Sequence, residues 1–274
     1  MTGFLLLLAA APQGEPALTA SKITEAQAIE RAKLKAAALG VKVYGDPMAE
    51  SAQRGREEIW RVNLSAALSR LPSTTMELSA RDGHLVGFSD GGYSVTDPLP
   101  GWSPRIARPS ARSRTIAVGR KIGVPSTWVV GRSSFDGTGK NRWPARAEVT
   151  FEERPQGYRY LVDGNRATVT LNPRTGALSS YTLMDTYAVQ RTTVRLRADQ
   201  ASRIAREWRE TNRSDPRAKV EGPIRLGWAV LDPTTSVARL VYDVPFLIET
   251  HWVDANTGKV VGGRRTRDIK PISR

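Results

Sequence analysis

Three segments of the chain end in the same local pattern: a strand-like run, a polar turn, a glycine and a second strand-like run. The first runs from Glu77 to Val86 with Gly83 in its turn. The second runs from Thr170 to Leu178 with Gly176, and the third from Trp252 to Val261 with Gly258. Glycine suits the positive-φ position of a tight hairpin, where a Cβ would clash. Asp or Asn in such a turn can bond the backbone two residues on. A pattern that recurs in this way points to repeated modules.

An aromatic, alternating run lies upstream of each hairpin, which is the period of a half-buried strand. These runs are Glu58 to Leu64, Tyr158 to Val162 and Arg239 to Val244. Arg146 to Glu152 and Leu226 to Leu231 read as additional strands, with Pro155-Gln156-Gly157 and Asp232 to Thr235 as turns between strands. Helices open the modules. Thr24 with Gln27 forms a capping box, Ile23, Ala28, Ile29, Ala32 and Ala36 lie near one face, and Gly40 is the stop. Leu196 to Trp208 repeats the pattern with Ala201, Ile204, Ala205 and Trp208 facing inward. Ser113 to Ile122 is the middle helix, ending at Gly123, although Gly119 weakens it by about 1 kcal/mol relative to Ala.

These signals predict an α+β fold of tandem modules, each a helix packed on an antiparallel β-sheet. The expected organisation is a leader over residues 1–20, a first module over 21–90, a Gly/Pro-rich linker over 91–109, a degenerate second module over 110–190, a third module over 191–265 and a basic tail over 266–274. Basic, mobile character is expected from Gly262 onward, and Asp185 to Val194 is apolar enough to continue as a strand.

The apolar run Phe4 to Ala11, followed by small residues, has the length of a signal-peptide core, although no Lys or Arg precedes it. Export to the cell envelope or beyond is therefore expected. No apolar run approaches the roughly 18 residues of a membrane-spanning helix. The chain has no cysteine, which removes disulfides, thiolate nucleophiles and cysteine-ligated zinc. With 40% hydrophobic and 25% charged residues it has the balance of a folded chain rather than a disordered one. The net charge of +14 comes mainly from 32 Arg, scattered except at Arg264-Arg265-Thr266-Arg267. Such charge fits solvated faces, or an acidic polymer or lipid as partner.

Catalytic motifs are missing. His84 and His251 stand outside any His-Glu-x-x-His pattern, so no zinc site is expected. Gly131-Arg132-Ser133-Ser134-Phe135 fails as a nucleophile elbow at its last position, and Gly137 to Asn141 lacks the leading glycine and the hydroxyl of a phosphate loop. Glu57-Glu58 and Glu152-Glu153 are adjacent pairs on predicted strands, so their side chains point to opposite faces. Tyr158-Arg159-Tyr160 superficially suits nucleic acid, but both tyrosines share one strand face and are expected in the core. The expectation is a non-enzymatic chain with no cofactor and no metal, and nucleic acid is disfavoured as a partner.

The arrangement resembles the PepSY family. Trp60-Arg61-Val62 and Tyr242-Asp243-Val244 match its aromatic-x-Val strand. The run from Val253 through Asp254, Thr257 and Gly258 to Val260 matches its Asp-x-x-Thr-Gly-x-Val ending. Residues 22–90 and 196–265 carry the resemblance, while 110–185 carries only its sheet half. The resemblance implies modules related to the propeptides of secreted metallopeptidases, which restrain peptidases or bind proteins in the cell envelope. It carries over no catalytic residues. Its residues are structural: Trp60, Val62, Gly83, Tyr158, Tyr160, Gly176, Tyr242, Val244, Asp254 and Gly258. The implied partner is a protein, a peptidase among the candidates. A scaffold held to an anionic envelope polymer through the Arg-rich surface is the alternative, and the sequence leaves oligomeric state open.

Overall fold

The computed structural model describes residues 22–55, 57–65, 73–90, 108–136, 146–162, 164–172, 176–190, 192–213, 219–231 and 235–265. The expected leader, linker residues 91–107, the Gly137 to Asn141 loop, turn residues 173–175 and 232–234, and the 266–274 tail lie outside the described residues.

Helix α1 (Glu25–Leu39) starts at the capping box read from the sequence: Thr24 Oγ1 accepts from Gln27 N, and Gln27 Oε1 accepts from Thr24 N. It ends at Gly40, whose φ of 69° is the left-handed stop. Strands β1 (Met48–Arg54), β2 (Glu57–Asn63), β3 (Thr75–Ser79) and β4 (Leu85–Ser89) follow as an antiparallel meander. The second module repeats this order with α2 (Arg108–Ile122), β5 (Val129–Asp136), β6 (Arg146–Glu152), β7 (Arg166–Leu171) and β8 (Leu178–Met184). The third comprises β9 (Ala188–Val189), α3 (Ala198–Arg213), β10 (Arg225–Val230), β11 (Val237–Pro245), β12 (Glu249–Asp254) and β13 (Val260–Arg265). The fold is α+β, as expected. Gly262 onward, expected to begin a mobile tail, is strand as far as Arg265.

Small residues on one helical face let each helix lie close to its sheet. Ala28, Ala32 and Ala36 of α1, Ala111 and Thr115 of α2, and Ala201 and Ala205 of α3 are all fully buried. Gly119 continues the α2 row. A Cβ there would sit 2.7 Å from the Phe151 ring, so the residue that weakens the helix locally is what admits it to the sheet.

The three hairpins are one device repeated. Gly83 N donates to Ser79 O (2.8 Å), Gly176 N to Asn172 O (2.6 Å) and Gly258 N to Asp254 O (3.0 Å). Ser79, Asn172 and Asp254 in turn donate N–H to His84 O, Ala177 O and Lys259 O. The glycines have φ of 70°, 72° and 74°, and each hairpin shifts register just before its turn. This is a bulged turn that needs a left-handed residue at one place.

The first two modules do not stand as separate sheets. Antiparallel pairing of β4 with β8 fuses them into one eight-stranded sheet, ordered β1-β2-β3-β4-β8-β7-β6-β5. The joint has a local two-fold relation. Counting from the hairpins, Phe88 and Tyr181 are equivalent, and they lie opposite each other across the joint, both buried. The third module's strands run β10-β11-β12-β13, with β9 beside β11.

The run containing Tyr158 and Tyr160 was expected as the second module's own aromatic strand. Instead it leaves the sheet after β6, passes through a single 3-10 turn at Pro155–Gly157 and joins the third module. Leu161 N donates to Trp228 O (2.8 Å), and Trp228 N donates to Arg159 O (2.9 Å). The tyrosines pack with Trp228 and Leu240 in the third core, while Leu161 and Val162 cover Val241 and Trp252 on the opposite face. The true counterpart of Trp60 and Tyr242 in the second module is Ala147, paired with Leu171 as Trp60 is with Leu78 and Tyr242 with Val253. An aromatic search misses it because the anchor is an alanine. Buried Asn165 ties the connection together, donating to Glu153 Oε2 (2.7 Å) and Tyr187 O (2.8 Å) and accepting from the Thr186 and Tyr187 amides.

Candidate protein-binding edge

The residues read from the sequence as structural fall into two groups. Gly83, Gly176, Gly258 and Asp254 build the turns, and Asp254 Oδ1 accepts from Asn256 N (3.0 Å) and Thr257 N (2.8 Å). Trp60 and Tyr242 latch their strands to the chain entering the helix. Trp60 Nε1 donates to Ile23 O (3.0 Å), and Tyr242 Oη donates to Leu196 O (2.7 Å). The same entry residues bond to the turns, Ile23 N to Ala80 O and Leu196 N to Ala255 O. Val62 and Val244 are fully buried beneath the helices. These contacts tie each helix to its sheet and to its hairpin.

The eight-stranded sheet ends at β1 and β5, and the third module leaves a further strand edge at β13. The fourth strands of the first two modules, β4 and β8, cover each other, whereas β13, the fourth strand of the third, is the last in its sheet. No described strand pairs with its outer edge. An open edge presents backbone N–H and C=O groups in a row, ready for another strand.

A groove of about 310 Å³ runs along this edge, lined by Trp208 of α3, Glu249, Thr250 and His251 of β12, and Gly262 to Arg265 of β13. His251 lies opposite Gly263 and packs at a tilt of 58° against Trp208, with ring centroids 4.9 Å apart; Phe246 meets it edge-on at 5.3 Å. His251 Nε2 is 3.4 Å from Glu249 Oε1, and Arg209 Nη1 is 3.9 Å from the same oxygen while its guanidinium lies over Phe246. Buried charges of this kind persist when paired. On the far face Asp243, also buried, accepts from Trp252 Nε1 (3.0 Å) and Arg264 Nη2 (3.2 Å). Both networks fix β12 and β13 against the body of the module. At the end of the edge the β11–β12 turn exposes Leu247 and Ile248, which are 71% and 61% accessible.

No sequence pattern marks this groove. Arg264-Arg265 was visible as a basic cluster and His251 as a histidine outside any zinc motif, but only folding brings Trp208 to them. The groove has an aromatic wall at Trp208, a charged rim and two adjacent glycines, Gly262 and Gly263, in its lining. Among the described residues no three His, Asp or Glu side chains gather as a metal site. No described helix is long and apolar enough to cross a membrane.

No family model matches the chain, and no curated protein matches it. Among solved structures, the chain is similar to the Bacillus megaterium YpeB C-terminal domain, with 14% identity over 89% of this chain and 98% of that one, at a TM-score of 0.47.

Proposed function

We propose that this chain is a non-enzymatic protein-binding module that acts outside the cytoplasm, with a peptidase or another envelope protein as its partner. One observation carries the reading. The β13 edge corresponds in the repeat to the β4 and β8 edges, through which the first two modules bind each other, and it is left open beside a groove. The fold thus already uses this edge as a joint and presents a third one outward. The PepSY resemblance of the Trp60 and Tyr242 strands and the apolar Phe4 to Ala11 run favour the same reading.

The tagged chain used as bait in envelope extract is expected to retain a protein through a wash at high salt, because a shape-specific contact is screened little. Retention of polymer or lipid alone, lost as salt rises past roughly 0.1 M, would replace this reading with that of a scaffold on an anionic surface. The net charge of +14 is the observation that keeps that second reading in view.

A further inference from the structure

Resting on the reading of β13 as a protein-binding edge, we propose that its occupant is an extended acidic segment of a partner, added as a strand with one aromatic side chain opposite Gly263. The chain contains its own template for this contact. At the β4–β8 joint, Gly87 faces Thr182, Phe88 faces Tyr181 and Ser89 faces Ser180. Aligned from the hairpins, Gly262, Gly263 and Arg264 occupy the places of Gly87, Phe88 and Ser89, since Val253 pairs with Val260 as Leu78 does with Leu85. At the joint each buried ring has the other across from it; on β13 the ring position is glycine.

Gly263 cannot carry a ring. A Cβ there would overlap the Thr250 carbonyl oxygen, so the backbone itself approaches too closely. The space beside it is bounded by Trp208 and His251 and lies along the groove. An aromatic residue on an added strand, opposite an edge glycine, covers that glycine and stacks on what lies beyond it. Strand addition provides affinity through main-chain hydrogen bonds, and alternate side chains provide selectivity.

Charge selects the sign of the segment. Arg265 lies two residues beyond the ring position and is exposed, Arg264 between them is held by Asp243 on the far face, and the chain carries +14 overall. A second copy of this chain is a poor occupant: pairing about the same axis would set Gly263 against Gly263 and leave both ring positions without a ring. A lipid surface is also disfavoured, despite Leu247 and Ile248, because an open strand edge in hydrocarbon leaves its backbone groups unsatisfied.

The test uses fluorescein-labelled nine-residue peptides of alternating Thr and Asp with a central Tyr, titrated into the full chain by anisotropy. Hydrogen exchange at residues 260–265 is read in parallel. Binding is expected with slowed exchange across β13, and it should weaken about tenfold when the peptide's Tyr becomes Gly or when Arg265→Glu is introduced. A peptide with Lys in place of Asp should recover binding to Arg265→Glu. Peptide binding that ignores the Tyr or tolerates a central Pro, or protection located elsewhere, overturns the proposal. So does peptide failure while the bait still retains its salt-resistant partner, an outcome that leaves the protein-binding reading standing. A dimer of the chain that hides β13, or binding only to anionic vesicles, assigns the edge to a second copy or to lipid and overturns it as well.

Discussion

Arg61 and Asp243 occupy the same place in two copies of one module, the middle of the aromatic-x-Val strand, and they meet opposite fates. Arg61 faces Glu77 across the ladder and Asp243 faces Trp252, so the register is identical. Arg61 is exposed and paired with Glu50 (3.2 Å) and Glu77 (3.3 Å), which hold its guanidinium in the charged form. Asp243 is buried, held by Trp252 and Arg264, because Leu161 and Val162 from the preceding module lie over that face. A single fold position is surface or core according to what a neighbouring module donates. The inner latch, by contrast, is the same in both copies, since Trp60 and Tyr242 each bond the residue entering their helix.

Phe88→Ala should have the largest effect. It empties the centre of the β4–β8 joint and should lower stability by about 4 kcal/mol in urea unfolding. An effect below about 1 kcal/mol would mean that the joint is not held by its ring pair. Asp243→Ala should cost about 3 kcal/mol, because it leaves a buried Trp252 N–H and Arg264 without their carboxylate. Arg61→Ala, at the matching position, should cost less than about 1 kcal/mol. Equal costs would break the comparison between the two faces. Tyr242→Phe should cost about 1 kcal/mol by removing one hydrogen bond to Leu196 O, and an effect confined to amide exchange in the third module would sharpen the equivalence with Trp60.

An effect of similar size concerns pH at the joint. Burial raises the Asp90 carboxyl to about 6, with a Thr74 hydroxyl bond opposing the shift. Its folded pKa lies above the unfolded value near 3.9, so between those values the folded state holds the extra proton. Stability therefore falls as pH rises from about 4 to 6 and is flat above that. Partial solvent access reduces this to the order of 1 kcal/mol, and Asp90→Asn should remove the slope from a series of urea midpoints. A slope that persists in the variant assigns it to other carboxylates, among them Asp185, which burial and nearby Glu153 also raise.

Local features were legible wherever the physics is local. The Thr24 capping box, the Gly40 stop and the three hairpin glycines depend on bonds within a few residues, and each stands where the sequence placed it. Ala147 was hidden because its role is a register position, not a residue type. Tyr158 and Tyr160 had the alternation of a strand, yet their run makes one isolated bridge, from Tyr160 to Trp228 of β10: period two does not say which sheet a run meets. Residues from Gly262 looked like tail because glycine and arginine are poor strand formers alone, yet β12 supplies the ladder that holds them.

The sequence by itself determined the unit: a helix with a small-residue face, an aromatic-x-Val strand and a bulged glycine hairpin. Each is fixed by hydrogen bonds and sterics that reach only a few residues along the chain. Tertiary structure alone decided how the copies meet. Edge pairing of β4 with β8, the bridge from Tyr160 to Trp228 of β10 and the open side of β13 depend on which edges come together in space. Backbone edges are chemically alike whatever their sequence, so it is tertiary packing, such as that of Phe88 on Tyr181, that settles which edges are closed.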